Sequence, residues 1–249
     1  MDSILPRHIS CVEVDPKDDK TLQMFERFYH DVFVKAFTNK DECVLYEDFL
    51  KCINEYRPGE LFVRILMFCN DDDVIGGIVF DYFDDIKTLT VEFIVVASEY
   101  QGKGMATKIL DFTKSYISCQ YGKTIEWIII EIENPAFIEN GDYSYLYFWE
   151  KCNMKKIDFS YIQPALSPGQ SPVKTLMLCA CHITGNSETI KIDHVKKFVW
   201  LYAHHAFRIE PPEYDQSIKV MFDELDKREG YSLSLLDLRS LFTGYVQQF

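Results

Sequence analysis

The segment Val91–Leu110, VEFIVVASEYQGKGMATKIL, limits what this chain can fold into more than any other. A continuous apolar run ends at Ala97, a short polar turn follows, and Gly102 and Gly104 open an amphipathic pattern that predicts a helix over Met105–Tyr121. Strand, glycine turn and helix in direct succession leave unpaired backbone N–H groups at a helix N-terminus, where the aligned peptide dipoles favour negative charge. Glycine at 102 and 104 lets an anion approach the backbone with no side chain in the way, and Lys103 adds a cation. A dinucleotide-binding turn would carry a third glycine in G-x-G-x-x-G spacing, and none follows.

Periodicity extends this reading along the chain. His8–Val14 alternates as a first strand. Asp18 or Asp19 caps a helix whose apolar positions are Leu22, Phe25, Tyr29, Val32 and Ala36. Leu45–Tyr56 reads as a second helix. Leu61–Cys69, Val74–Phe83 and Thr88–Ala97 read as strands joined by Asp-rich turns. After the glycine-turn helix come a β-branched strand, Ile125–Glu133, a helix, Tyr143–Asn153, and strands at Lys156–Gln163 and Lys174–His182 around the loop Pro164–Pro172. The order is β, α, α, β, β, β, α, β, α, β, β, an α/β (α+β) chain. Beyond Thr184 three helical patterns are expected: Ile190–Phe207, Tyr214–Arg228 and Leu233–Phe249. The last carries an apolar stripe of Leu238, Leu241, Phe242, Tyr245, Val246 and Phe249, which must be buried.

The loop Gln101-Gly-Lys-Gly104-Met-Ala106, between a strand and a helix in this element order, resembles the acyl-CoA pyrophosphate loop of GNAT-type N-acetyltransferases. The resemblance covers roughly residues 8–183. It implies a mixed, twisted central sheet whose fourth and fifth strands, here Thr88–Ala97 and Ile125–Glu133, splay apart around the cofactor. It also implies acetyl-CoA as co-substrate. Backbone amides around Ile94 and Val96 would pair with the pantetheine arm. Those of Gln101, Gly102, Lys103, Gly104, Met105, Ala106 and Thr107 would surround the pyrophosphate. Asn134, ending the fifth strand, matches an Asn that often contacts CoA. Phe148-Trp149-Glu150-Lys151-Cys152-Asn153-Met154 is similar to the family's aromatic-Tyr-Glu-Lys-x-Gly-aromatic signature, placing Trp149 beside the cofactor where relatives have a proton-donating Tyr. Indole N–H donates a hydrogen bond but is no acid, so Tyr145, one turn earlier on the same face, is the substitute donor. Asn153 in place of Gly is a mild change, because Asn tolerates the left-handed helix end.

Acyl transfer to an amine needs the amine neutral, and a free alkylammonium is mostly protonated at pH 7. A base is therefore required. Glu131, Glu133 and Glu92 sit on the two relevant strands. Glu131 and Glu133 share a face about 7 Å apart, and a glutamate among isoleucines is costly unless paired or functional. The alternative reading of all three is that their strand face meets solvent. Tyr161 and Gln163 share a face and would line the acceptor pocket. Cys179-Ala-Cys181-His182 lacks a second ligand pair, so no metal is expected.

A net charge of −13 excludes nucleic acid as a partner and favours a cationic acceptor. No apolar run reaches membrane-spanning length. Met1–His8 lacks the basic and apolar regions of a secretory signal, and the eight scattered cysteines read as thiols of a reducing, cytoplasmic compartment. The expected organisation is an acyl-CoA-binding domain over 1–184 and an all-helical extension over 185–249, packed on that domain or on a second copy as a homodimer. The expected function is N-acetylation of a primary amine of a small molecule by direct transfer. A non-catalytic acyl-CoA sensor or scaffold, and a protein or peptide N-acetyltransferase, are the alternatives.

Overall fold

The structure, a computed structural model, describes residues 4–36, 44–55, 61–71, 73–138, 143–165, 171–184 and 187–241. The chain forms two compact units, one of Met1–Tyr82 with Leu89–Ile125 and one of Phe83–Thr88 with Glu126–Phe249.

In the first unit, strand β1 (Ile9–Glu13) leads to helix α1 (Asp19–Phe28). The Asp18 carboxylate caps that helix by accepting from the Lys20 N–H, as the sequence suggests. A π-helical turn (Tyr29–Phe33) carries α1 into the short α2 (Val34–Ala36), and α3 (Tyr46–Asn54) follows. Strands β2 (Leu61–Asn70), β3 (Asp73–Phe83) and β4 (Thr88–Val96) continue the sheet in the order β1-β2-β3-β4, with β1/β2 and β2/β3 antiparallel. Helix α4 spans Met105–Tyr121, the range its pattern predicts. Phe25, Phe28, Phe33 and Phe49 pack with Ile65, Met67, Val79 and Val95 into an aromatic-rich core. The fit is close: a Cβ added at Gly77 would stand 2.6 Å from the Phe28 ring, and one at Gly76 would stand 2.7 Å from the Val95 carbonyl oxygen. Helix α4 is tied to the strands by polar bonds. The hydroxyls of Tyr116 and Tyr121 donate to the Glu13 carboxylate at 2.8 and 2.6 Å, and buried Arg64 pairs with Glu13 at 3.3 Å.

In the second unit, β5 (Trp127–Glu133) pairs antiparallel with β7 (Leu176–His182) along its whole length, from Trp127 opposite His182 to Glu133 opposite Leu176. Helix α5 is Ser144–Lys151 and strand β6 is Lys155–Ile157. Strand β8 (Thr189–Lys191) and helices α6 (Ile192–His205) and α7 (Gln216–Asp226) precede β9 (Ser232–Asp237). The strand order is β5-β7-β6-β9-β8. The expected strand 156–163 is shorter: β6 stops at Ile157, and Gln163 makes a lone bridge to Val173.

Residues from Leu233 onward were expected as helix, but Ser232–Asp237 is a strand that pairs with both β6 and β8. The reason is local. Leu233 and Leu235 are buried while Ser232 and Ser234 are exposed, a period of two. The helical stripe belongs further on: Leu238 is buried and Leu241 half-buried, whereas Phe242, Tyr245, Val246 and Phe249 lie outside the described residues. So do residues 139–142 of the insertion Ala136–Asp142 and residues 166–170 of the loop 164–172. No helix among the described residues is long and apolar enough to cross a membrane.

Candidate functional site

Strand β4 ends in a 3-10 turn, Ser98–Tyr100, from which the chain enters α4 through Gly102 and Gly104. Both glycines are left-handed, with φ of 71° and 73°. Such angles cost an L-residue about 1–2 kcal/mol. A Cβ at either would meet nothing within 4 Å, so open space lies over the loop. The helix has no side-chain cap, and the Lys108 N–H donates to the Gly104 carbonyl at 3.2 Å, so the first-turn N–H groups of Met105, Ala106 and Thr107 have no partner within the helix. Gln101 serves as a strut instead: its Nε2 donates to the Val96 carbonyl at 2.8 Å and its N–H to the Ser98 carbonyl at 3.3 Å. The Lys103 ammonium donates to the Glu99 carbonyl at 2.7 Å and lies 5.6 Å from the centre of the Tyr100 ring, which holds the cation on the loop. Ile94 is half-buried and Val96 buried on β4; Glu92, on the same strand, is half-buried.

The second unit gathers a carboxylate cluster. Glu131 accepts the Tyr161 hydroxyl on Oε1, and on Oε2 it accepts Gln163 Nε2 at 3.2 Å and the Tyr202 hydroxyl at 3.0 Å. Tyr161 and Tyr202 are both buried. Burial raises the Glu131 pKa above the ordinary carboxylate range; the three donors pull it back without cancelling the rise. Three residues singled out by sequence, Glu131, Tyr161 and Gln163, thus converge. Tyr202, from α6, was not singled out: its spacing from Phe198, stacked on it at 5.3 Å, reads as an ordinary buried helix stripe.

The neighbouring sites separate. Glu133, two residues on, is exposed, and its backbone carbonyl accepts the Tyr145 hydroxyl at 3.2 Å. Asn134 turns its side chain back to accept the Ala136 N–H at 3.1 Å. Trp149 is buried, its ring centre 4.6 Å from that of Phe148. Asn153 adopts φ of 59°, the left-handed helix end anticipated for it.

Two cavities lie wholly within the second unit. One, of about 380 Å³, is lined by Asn134, Lys156, Phe159, Ser160, Tyr161, Ile162, Lys174, Leu176 and Met177. It therefore shares Tyr161 with the carboxylate cluster. The other, of about 570 Å³, holds His182, His194 and Trp127 at the opposite end of β5. Burial there pushes His194 down to about 4, so its ring is neutral at physiological pH; its Nε2 lies 2.9 Å from the Thr88 hydroxyl. Among the described residues no group of three or more His, Cys, Asp or Glu is placed to hold a metal ion.

Residues 22–139 match the model of the acetyltransferase (GNAT) family. The match takes in the glycine loop, β4, β5 and Asn134, and ends before Tyr161, Gln163 and Tyr202. No curated protein matches the sequence. Among solved structures, one assigned to the GNAT family of acetyltransferases, from Bacteroides thetaiotaomicron, superimposes with a TM-score of 0.59 at 16% identity, covering 80% of this chain and 99% of that one. At that identity the likeness speaks for the fold. The ribosomal-protein-S18-alanine N-acetyltransferase of Escherichia coli gives a TM-score of 0.46 at 10% identity, covering 72% of this chain and 97% of that one. Arabidopsis thaliana Naa50, in complex with the bisubstrate analogue CoA-Ac-MVNAL, gives 0.46 at 11% identity, covering 71% and 99%.

Proposed function

Residues 22–139 of this chain form a domain of the acetyltransferase (GNAT) family, and from that premise we propose that the protein moves an acetyl group from acetyl-CoA directly to the primary amine of a small molecule. The observation that carries this reading is the glycine loop. Two left-handed glycines, open space above them and an uncapped helix N-terminus suit the backbone to a pyrophosphate. The Lys103 ammonium, held over Tyr100, adds positive charge beside that site. A cavity of about 380 Å³ suits a small acceptor rather than a folded protein surface.

Glu131 is the base in this reading. Its raised pKa brings it nearer the working pH, where a general base is most effective. The acceptor enters as an ammonium. Tyr161, which belongs both to the cavity wall and to the cluster, passes its hydroxyl proton to Glu131 as it takes one from the ammonium. The neutral amine then attacks the thioester carbonyl carbon. The C–S bond breaks, CoA departs as thiolate, and the remaining surplus proton on nitrogen ends on that sulfur. Tyr202 and Gln163 orient the carboxylate and hold its pKa from rising further.

The test is thiol release from acetyl-CoA over a panel of amines. Turnover should appear, and Glu131→Gln should lower kcat by about 10²–10⁴-fold. Calorimetric affinity for acetyl-CoA should stay at the parent value, since backbone atoms hold the cofactor. Acetyl-CoA binding with no thiol release for any amine would make the protein a non-catalytic acyl-CoA sensor.

A further inference from the structure

The larger cavity of the second unit, about 570 Å³, takes no part in the acetyl-transfer chemistry above. Strand register and ring packing bring its walls together. Trp127 stands opposite His182 on β5 and β7, with ring centres 4.8 Å apart. His194, from the first turn of α6, lies 5.8 Å from the same indole. On β8 and β9, Lys191 stands opposite Ser232, and Thr189 lies two residues before Lys191, so these three share one face. That face is exposed, while Ile190 and Leu233 are buried on the other. All six of these polar and aromatic residues line the cavity.

Hydrogen bonds fix the tautomers of both imidazoles. Thr88, fully buried, donates its one hydroxyl proton to the Ile86 carbonyl at 3.0 Å. It therefore accepts the 2.9 Å bond from His194, which puts the His194 proton on Nε2 and leaves Nδ1 a bare lone pair. Burial, joined by the charges of Lys191 and Lys197, keeps that ring neutral against the pull of Glu126. His182 has the opposite atom engaged. Its Nδ1 accepts the Thr184 N–H at 3.4 Å, so Nε2 carries the proton and is a donor. Among the described residues neither His194 Nδ1 nor His182 Nε2 has a hydrogen-bond partner or is sealed from solvent, and Lys191 joins no ion pair. The one carboxylate of the lining, Glu126, is paired with Lys87 at 2.7 Å.

The open groups are thus an uncompensated cation, a neutral donor and a neutral acceptor, beside the hydroxyls of Thr189 and Ser232. A ligand that satisfies them brings an anionic group to Lys191 and a donor to the His194 lone pair. That donor is a hydroxyl and not an ammonium, because the Lys191 charge already acts on the same ring. We infer that this cavity is a second ligand site, for a small hydroxylated anion: an organic acid or phosphate ester whose oxyanion meets Lys191 and whose hydroxyl donates to His194 Nδ1. Its volume lies within the roughly 300–1,000 Å³ of small-molecule sites.

The experiment is calorimetry on the full-length protein with matched pairs. Malate is compared with succinate, which lacks the hydroxyl, and glucose 6-phosphate with glucose, which lacks the charge. At least one hydroxylated anion should bind about 10-fold or more tighter than its partner, and which one does so names carboxylate or phosphate as the anion. Lys191→Gln, at an exposed position, and His194→Phe, checked for folding by circular dichroism, should each weaken that binding about 10-fold or more. In the parent protein the nitrogen NMR signal of His194 Nδ1 should move on binding, a readout that does not depend on any variant folding. Equal binding within both pairs, no binding, full affinity in a folded variant, or an unmoved signal overturns the inference. So does displacement of the anion by acetyl-CoA, which would give the cavity to the cofactor. The acetyltransferase reading stands in each of these cases, since it rests on the glycine loop and Glu131.

Discussion

At the scale of single residues, protons are placed by burial and by counted donors. Removing one donor from Glu131 should therefore move its titration in a known direction. Tyr202 lowers the Glu131 pKa, so Tyr202→Phe should raise it. The acid limb of the pH–rate profile should then shift to higher pH, with kcat on the plateau nearly preserved; an unmoved limb would disconnect Tyr202 from the base. Asp81 offers a second case. Burial pushes its pKa from 3.8 up to about 7, and the Val63 N–H it accepts offsets only part of this. A proton is therefore bound more tightly in the folded chain than in the unfolded one. The stability linked to it is complete below about pH 3.8 and is lost as pH rises through 7. Asp81→Asn keeps an acceptor for Val63 and has no proton to lose. In urea unfolding, the stability of this variant relative to the parent should increase steadily between pH 4 and 7.5. A constant difference would mean that Asp81 does not titrate across folding. How much of the site was legible also resolves at this scale. Glu131, Tyr161 and Gln163 announced themselves as polar groups in strand-like, apolar surroundings. Tyr202 did not, because an aromatic four residues after Phe198 on a helix is what any buried stripe looks like, and its partner lies 71 residues earlier in the chain.

At the scale of elements, the strand-turn-helix of β4 and α4 was readable almost to the residue, because glycine spacing and helix period agree there. The prediction that belongs to this element is Gly104→Val. Its backbone would be strained at φ of 73°, lowering the thermal midpoint, and its side chain would project into the space over the loop. Acetyl-CoA affinity should be lost while the circular dichroism spectrum stays native; undiminished affinity would remove the loop from cofactor binding. Gly77→Ala makes a contrasting control: the new methyl would stand against the Phe28 ring, costing about 1–3 kcal/mol of stability through overpacking. It is expected to lower the unfolding midpoint without the specific loss of acetyl-CoA affinity. The sequence was less clear at β9. A short leucine-rich run satisfies both periods, and the apolar residues downstream pulled it toward helix. What makes it a strand is the open side of β6, a partner that local periodicity does not register.

At the scale of the whole molecule, residues 187–241 are part of the second unit's sheet and core. Phe198, Ile218, Met221, Leu233 and Leu235 are all buried there, each such side chain contributing about 1.5–3 kcal/mol. Ending the chain at Thr184 would strip β6 of its neighbour and Glu131 of Tyr202. The truncated chain should aggregate or melt at markedly lower temperature, as differential scanning calorimetry and light scattering would show. Retained solubility and an unchanged midpoint would make the segment a separate module. The lateness of β9 also has a consequence during synthesis. About eighty residues separate the end of β6 from the end of β9. At roughly 5–20 residues per second, translation leaves the hydrogen-bonding edge of β6 without its β9 partner for about 4–16 s. For that interval the nascent chain presents an unguarded strand edge. Holding by a chaperone, or the pace of the ribosome over those eighty codons, would then govern the yield of native protein more than any contact in the finished fold.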